Sequence, residues 1–348
     1  MRKTIIKRDN ECEVIYAESI DRLIQQNSFK ELQTARHVLF VTTQPFYEFY
    51  YEKFTKITPS GTEFHWYICP RKENLNEVKL YLKLLSYIEE MKLPTETIII
   101  GAGNHEIFHL CGSLKVSSMY LDHFFYIPTT VAGFSQALRG ISYLIQTPFT
   151  VCTQQYVLPD RLIYDTMLNE LEERKVLLDD FSYLLQLGMA HDIELFSSLL
   201  NVKLLSEYQS FAPFLEAVID IWQHSDETVD VYIKAITKSF YELPESHYLS
   251  IYQKERISFL FYFLWCLKKA KVPFDFASFY KWYQQKVDEN LMLPIQMNTY
   301  ELAESMTQEL SRYSTFLGLK QIGKIEKQAI PTLEEMYEVV ETYRRINK

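Results

Sequence analysis

The sequence predicts an α/β + α fold: an N-terminal doubly wound parallel-sheet, Rossmann-like domain followed by a mainly helical C-terminal domain. Three observations predict it. Short apolar or β-branched runs alternate with helix-period segments through the first half, the spacing that crossover helices impose on a parallel sheet. The stretch 97–130 condenses that pattern. Thr97, Ile98, Ile99 and Ile100 form a strand apolar on both faces, Gly101-Ala102-Gly103 turns the chain, and a helix starts at Asn104 or His105. A second strand over 124–127 then ends at Pro128-Thr129-Thr130. Past Thr166 strand signals fade and helical periodicity takes over, which places the domains at 1–167 and 168–348.

The elements follow in order. Residues 13–17 read as an edge strand. Over 19–32, Ile20, Leu23, Ile24, Phe29 and Leu32 recur at helical spacing. Residues 38–42 are a buried strand, and Pro45 stands where a proline opens a helix. Residues 63–68 form the next strand, stopped by Cys69-Pro70-Arg71-Lys72. The segment 75–91 is an amphipathic helix with Val78, Leu82, Leu85 and Ile88 on its apolar face. In the second half, 168–201 reads as two helices, and 211–240, 255–269, 274–289 and 300–313 are helical. Residues 314–325 form a strand pair. A last helix spans 332–345, with Pro331 or Thr332 at its start and Glu334 and Glu335 favourable in its first turn.

Composition bounds the function. With 348 residues and 47% hydrophobic side chains, two domains sharing an interface and a large core are expected. The net charge of −9, with cations dispersed, argues against nucleic-acid binding. Cys12, Cys69, Cys111, Cys152 and Cys266 are odd in number and widely spaced, as expected of reduced thiols in a cytoplasmic protein. The N-terminus lacks a signal-peptide core. The most apolar window, 257–267, is too short for a membrane span, which needs about twenty residues, so a buried helix is expected there.

Gly-x-Gly after a strand lets backbone N–H groups approach a phosphate at a helix N-terminus. Glycines after strands also serve turns alone, and both readings stand. The segment GAGNHEIFHLCGSL, followed by Pro128-Thr129-Thr130, resembles the core of 3-dehydroquinate synthase and related sugar-phosphate cyclases. In that family the same places carry a GGGxxGD nucleotide loop and a VPTT strand end. The resemblance extends to Val41-Thr42-Thr43, to 70–74 (PRKEN), to Leu162-Ile163-Tyr164-Asp165-Thr166, to 192–196 (DIELF) and to the terminal strand pair. It implies a dehydroquinate synthase-like fold, a homodimer or a partner protein, and an enzyme using NAD and a zinc-type ion.

Carried over residue by residue, the resemblance places cofactor binding at Gly101, Ala102, Gly103, Asn104, Thr129 and Thr130, and a substrate-like anion at Lys234. Departures accompany these matches. Ala102 replaces the middle glycine, where its methyl group is expected to crowd a pyrophosphate. Glu106 adds negative charge beside it, Thr43 replaces an Asp, and Glu73 falls near a family Lys. The family's metal-binding Glu falls on Tyr183, its KYG lysine on Gln186, and its HGE motif on Gln253-Lys254-Glu255. A His-bearing segment between Glu242 and Glu255 is deleted. No catalytic residue and no metal ligand is carried over. No resident cofactor is therefore expected; NAD stays open, zinc is not expected, and the leading reading is a catalytically inactive homologue that binds a partner protein or small ligand.

Two alternatives remain. One is a diverged sugar-phosphate cyclase or NAD-dependent enzyme with a metal-independent site. The other is a metal hydrolase, because His105-Glu106-Ile107-Phe108-His109 matches HExxH. His191 and Asp192 read as a helix-surface pair, and His37, His65, His123, His224 and His247 as isolated surface or core residues.

Overall fold

The computed structural model describes residues 1–16, 18–25, 29–57, 61–70, 74–117, 121–202 and 211–346. The chain forms two compact units, Met1–Asp180 with Glu207–Ser225, and Phe181–Ser206 with Asp226–Lys348.

The first unit contains β1 (Arg2–Lys7), β2 (Asn10–Tyr16), α1 (Ile20–Gln25), β3 (His37–Thr42), α2 (Gln44–Ile57), β4 (Glu63–Ile68), α3 (Val78–Glu90), β5 (Thr97–Gly103), α4 (His105–Ser117), β6 (Leu121–Pro128) and α5 (Val131–Arg139). A hairpin, β7 (Ile141–Thr147) and β8 (Thr150–Tyr156), precedes β9 (Arg161–Tyr164). After α6 (Arg174–His191) and α7 (Ile193–Leu200), α8 (Leu215–His224) belongs again to this unit. Seven strands form one sheet in the order β1-β2-β9-β6-β5-β3-β4. All neighbours are parallel except β1, which runs antiparallel to β2.

Alternation along each strand divides the side chains between the two faces. Val38, Phe40, Ile98, Ile100, Ala102, Phe125 and Ile127 join Phe46, Tyr50 and Phe54 of α2 in one core cluster. On the opposite face α4 covers β5 and β6, with the Phe108 ring 5.3 Å from Tyr126 and 6.2 Å from Phe124. Burial on both faces is why β5 is an uninterrupted β-branched run. Connections from β3 and from β5 leave toward opposite faces, so the carboxyl ends of β3 and β5 flank a topological switch point. Ligands of open α/β sheets bind at such a point.

The second unit contains α7, the end of α6, α9 (Asp230–Phe240), α10 (Ile251–Ala270), α11 (Phe276–Val287), α12 (Thr299–Leu310), the hairpin β10 (Phe316–Gln321) and β11 (Lys324–Gln328), and α13 (Leu333–Ile346). Its axis is α10, buried continuously from Arg256 to Leu267. Ser250 and Gln253 form a capping box at its start. The expected buried helix is therefore present. No helix among the described residues is long and apolar enough to cross a membrane.

The parallel sheet, the carboxyl-terminal position of Gly101-Ala102-Gly103 and the helical second half follow the sequence expectation. Several local readings need correction. The segment 13–17, read as an edge strand, is interior: β2 lies between β1 and β9, and β1 is the edge. Ala17 lies outside the described residues. The helix expected over 19–32 is α1 followed by a separate 3-10 turn, Lys30–Gln33, with 26–28 outside the described residues. The buried face of α3 is Leu80, Tyr81 and Leu84; Leu82, placed inward by the sequence reading, is 56% exposed. The β7–β8 hairpin is an addition that the sequence reading lacks.

Candidate functional site

The candidate site is the carboxyl end of β5 and β6 with the first turns of α4 and α5. Successive residues of β5 face opposite ways. Gly101 and Gly103 face α4: a Cβ on Gly101 would stand 2.9 Å from Cys111 Sγ, and one on Gly103 2.8 Å from Ile107 Cγ1. Gly103 also has φ +153°, which side chains of L-residues rarely adopt. Ala102 points to the other face, fully buried in the α2-side core. The expected crowding of a pyrophosphate by its methyl group is therefore corrected, because that methyl packs under the sheet.

Tyr126 ties the two strand ends together. Its hydroxyl donates to the Gly103 carbonyl at 2.9 Å and the Asn104 carbonyl at 2.7 Å. The Thr129 amide donates to the same Gly103 carbonyl at 3.0 Å. Burial pushes the Tyr126 phenol well above its usual range, so it stays a donor. Gly133 is required here, since a Cβ would lie 2.6 Å from the Tyr126 hydroxyl and 3.2 Å from the His105 amide. The starts of α4 and α5 thus abut, the arrangement expected of a cradle for an anion.

The α5 donors of that cradle have internal acceptors. Asp180, fully buried, accepts from the Val131 amide at 2.7 Å and the Ala132 amide at 2.9 Å. Thr130 is the N-cap of α5 and accepts from the Gly133 amide at 3.0 Å, while the Phe134 amide bonds the Thr130 carbonyl. All four N–H groups of the first turn of α5 are accounted for. Thr129 donates through its hydroxyl to Glu172. Burial pushes the Asp180 carboxyl up to about 8, opposed by its two backbone bonds, and raises Glu172 as well. On α4, Asn104 Oδ1 accepts from the Glu106 amide at 3.2 Å.

Glu106 itself turns away from this place. Its carboxylate accepts from the Asn74 amide at 3.0 Å and the Leu75 amide at 3.1 Å. It thereby fixes the segment before α3 rather than lying free beside a pyrophosphate. Arg71, Lys72 and Glu73 of the resembled loop lie outside the described residues. Next to the loop, Thr42 donates to the Ala102 carbonyl at 2.8 Å.

The remaining predicted residues belong to the second unit. Lys234 is exposed on α9 of the second unit, where its charge lowers the Tyr313 phenol, against the dominant upward push of burial. Of the positions aligned with the family's HGE motif, only Glu255 carries a ligating side chain, and it is exposed on α10. Gln253 is engaged in the capping box and donates to the Asn290 carbonyl at 2.7 Å. The Lys254 ammonium lies 3.9 Å from the Tyr241 ring centre. Arg256, 2% exposed, pairs with Glu289 at 2.5 Å. Asp192, read as part of a helix-surface pair, is the N-cap of α7, accepting from the Glu194 and Leu195 amides.

In the HExxH segment, His109 is fully buried with its ring 3.9 Å from Tyr143, and Glu106 is bound to the 74–75 backbone. Among the described residues no trio of ligating side chains includes His105 or His109. A different trio does exist. His37 and His65, read as isolated, meet Glu63 across the β3–β4 pair. Residues 26 and 28 positions apart could not be joined without knowing that β3 pairs β4 in this register. Burial holds the His65 imidazole below its usual value, assisted by His37 and opposed by Glu63.

Comparison with known proteins bears on the fold. No family model matches the chain. A curated relative, the 3-dehydroquinate synthase of Listeria monocytogenes serovar 1/2a (strain ATCC BAA-679 / EGD-e), is 22% identical over 203 residues, covering 57% of this chain and 55% of the relative. The chain therefore spans about half the length of the curated relative it matches. Among solved structures, ValA (2-epi-5-epi-valiolone synthase) from Streptomyces hygroscopicus subsp. jinggangensis 5008, with NAD+ and Zn2+ bound, superposes with a TM-score of 0.75 at 11% identity over 99% of both chains. A 2-deoxy-scyllo-inosose synthase complexed with carbaglucose-6-phosphate, NAD+ and Co2+ gives 0.74 at 12% identity, covering 98% of this chain and 99% of that one. A parallel Rossmann-like sheet with a helical second half, the glycine turn at its switch point and near-complete superposition on these synthases show that the chain has a dehydroquinate synthase-like fold.

Proposed function

We propose that this chain is a catalytically inactive dehydroquinate synthase-like protein that acts by binding a protein partner or a small ligand. The observation that carries this reading is the seat of Asp180. Its carboxyl accepts the first two N–H groups of α5 from inside the protein and so withdraws them from any phosphate at the β5–β6 strand ends. A buried acceptor with two good bonds is displaced only at the cost of its own desolvation. With those amides engaged, the α5 terminus is closed to a dinucleotide phosphate, and NAD binding is not expected. A catalytic divalent ion of the family's kind does not fit either, because Tyr183 stands for the family's metal-binding Glu and Gln253 for the His of its HGE motif, and a phenol and an amide do not supply that ligand set. Chemistry through a transient oxidation needs both groups, so we assign the fold a binding role, as a homodimer or with a second protein.

Calorimetric titration of the purified chain with NAD, with and without zinc, tests this. The expected result is no NAD heat in either condition at concentrations up to the millimolar range. Micromolar NAD binding, or turnover of a sugar phosphate in its presence, would overturn the proposal.

A further inference from the structure

We propose that His37, Glu63 and His65 form a binding site for one divalent transition-metal ion of the zinc or nickel class, separate from the family-type crevice. Parallel pairing of β3 with β4 sets His37 opposite Glu63 and Leu39 opposite His65. Residues two apart on a strand share a face, so all three side chains project from the same side of the sheet. His37 Nδ1 lies 3.5 Å and His65 Nε2 3.8 Å from the same Glu63 oxygen, Oε2. The three ligating atoms lie within 4.8 Å of one another. A tetrahedral ion with bonds of about 2.0 Å holds its ligands about 3.3 Å apart, so small side-chain rotations close this set.

A second observation points to a ligand. His37 Nδ1 and His65 Nε2 are both shielded from solvent and neither makes a hydrogen bond. Buried polar atoms are normally paired, and a cation between them and Glu63 would satisfy both. Side-chain exposures of 25% at His37 and 14% at His65 against 68% at Glu63 leave the site open on the carboxylate side. Two imidazoles and one carboxylate suit a borderline ion with a water in the fourth position, and do not suit magnesium or calcium, which take oxygen ligands. The site lies at the amino ends of β3 and β4, whereas the glycine turn pairs with the carboxyl end of β3. Because β4 is the outermost strand, the ion would clip the sheet edge.

The test is calorimetric titration of the EDTA-treated full chain with zinc and with nickel, with magnesium as the comparison ion. Binding of one zinc per chain at micromolar affinity, no magnesium heat, and a rise in the melting temperature with zinc are expected. Glu63→Gln, an exposed and conservative change, should weaken zinc at least tenfold while leaving the metal-free melting temperature unchanged. His65→Gln should weaken it further. No zinc binding by the native chain, or binding undiminished in both variants, as ions held at His105–His109 or the exposed Cys152 thiol would give, overturns the proposal.

Discussion

The tightest constraint at single residues is the contact among Gly133, Tyr126 and Thr130. A methyl group at position 133 would enter within 3.0 Å of the Thr130 hydroxyl and closer still to the Tyr126 hydroxyl. Overpacking of this kind costs about 1–3 kcal/mol. Gly133→Ala should therefore lower the unfolding free energy of the first unit by that amount, read as a lower denaturation midpoint, and Tyr126→Phe, which removes the struck oxygen, should recover part of the loss when combined with it. Additive losses in the double variant would count against the contact. The sequence displayed the glycines of β5 but not the reason for this one, since nothing local to 133 names Tyr126. Asp180 was equally hidden: Asp179-Asp180 in a helical run reads as a solvated face. Only the fold brings position 180 to the amides of Val131 and Ala132. His37 and His65 look isolated in the sequence for the same reason: only the β3–β4 register joins them.

Elements were legible where one periodicity dominated. The run over β5, the aromatic strand β4 and the proline-opened α2 each carry a local signal that tertiary packing reinforces. The β7–β8 hairpin carries little. Val151, Cys152, Thr153 and Gln154 are all exposed, so no inward-facing alternation marks β8, and its turn lacks the Asn-Gly or Asp-Gly signature. In α3 the apolar residues outnumber the inward positions, and Tyr81 rather than Leu82 fills the core. The capping box of α10 gives little local signal, because Ser250 and Gln253 lie ahead of the apolar run. That box should matter energetically. Ser250→Ala removes the acceptor for the Gln253 amide and should destabilise the second unit by about 1 kcal/mol. Chemical denaturation of the variant checks it, and Ser250→Asp, which keeps an acceptor, should restore most of the stability.

For the whole molecule, the buried carboxyls make stability depend on pH in a direction opposite to that of paired surface acids. An unfolded Asp releases its proton near pH 4, whereas burial holds the Asp180 proton up to about 8. Between those values the unfolded chain has lost a proton that the folded chain keeps. Stability from this group is therefore full below pH ~4, declines as pH rises by up to about 1.4 kcal/mol per pH unit, and levels off above pH ~8. Glu172, raised by the same burial, acts in the same sense. Asp275 and Glu335 are shifted down and act in reverse, losing their contribution as pH falls, and Asp275 is fully exposed. Urea denaturation from pH 5 to 8.5 should show the native midpoint falling toward alkaline pH. Asp180→Asn keeps one carbonyl acceptor for the α5 amides and removes the titration, so its curve should be flatter and should converge with the native curve, or cross it, near pH 8. Parallel curves would mean that Asp180 is ionised in the folded protein. The α5 terminus would then hold a fixed internal anion, and charge as well as occupancy would oppose a phosphate there.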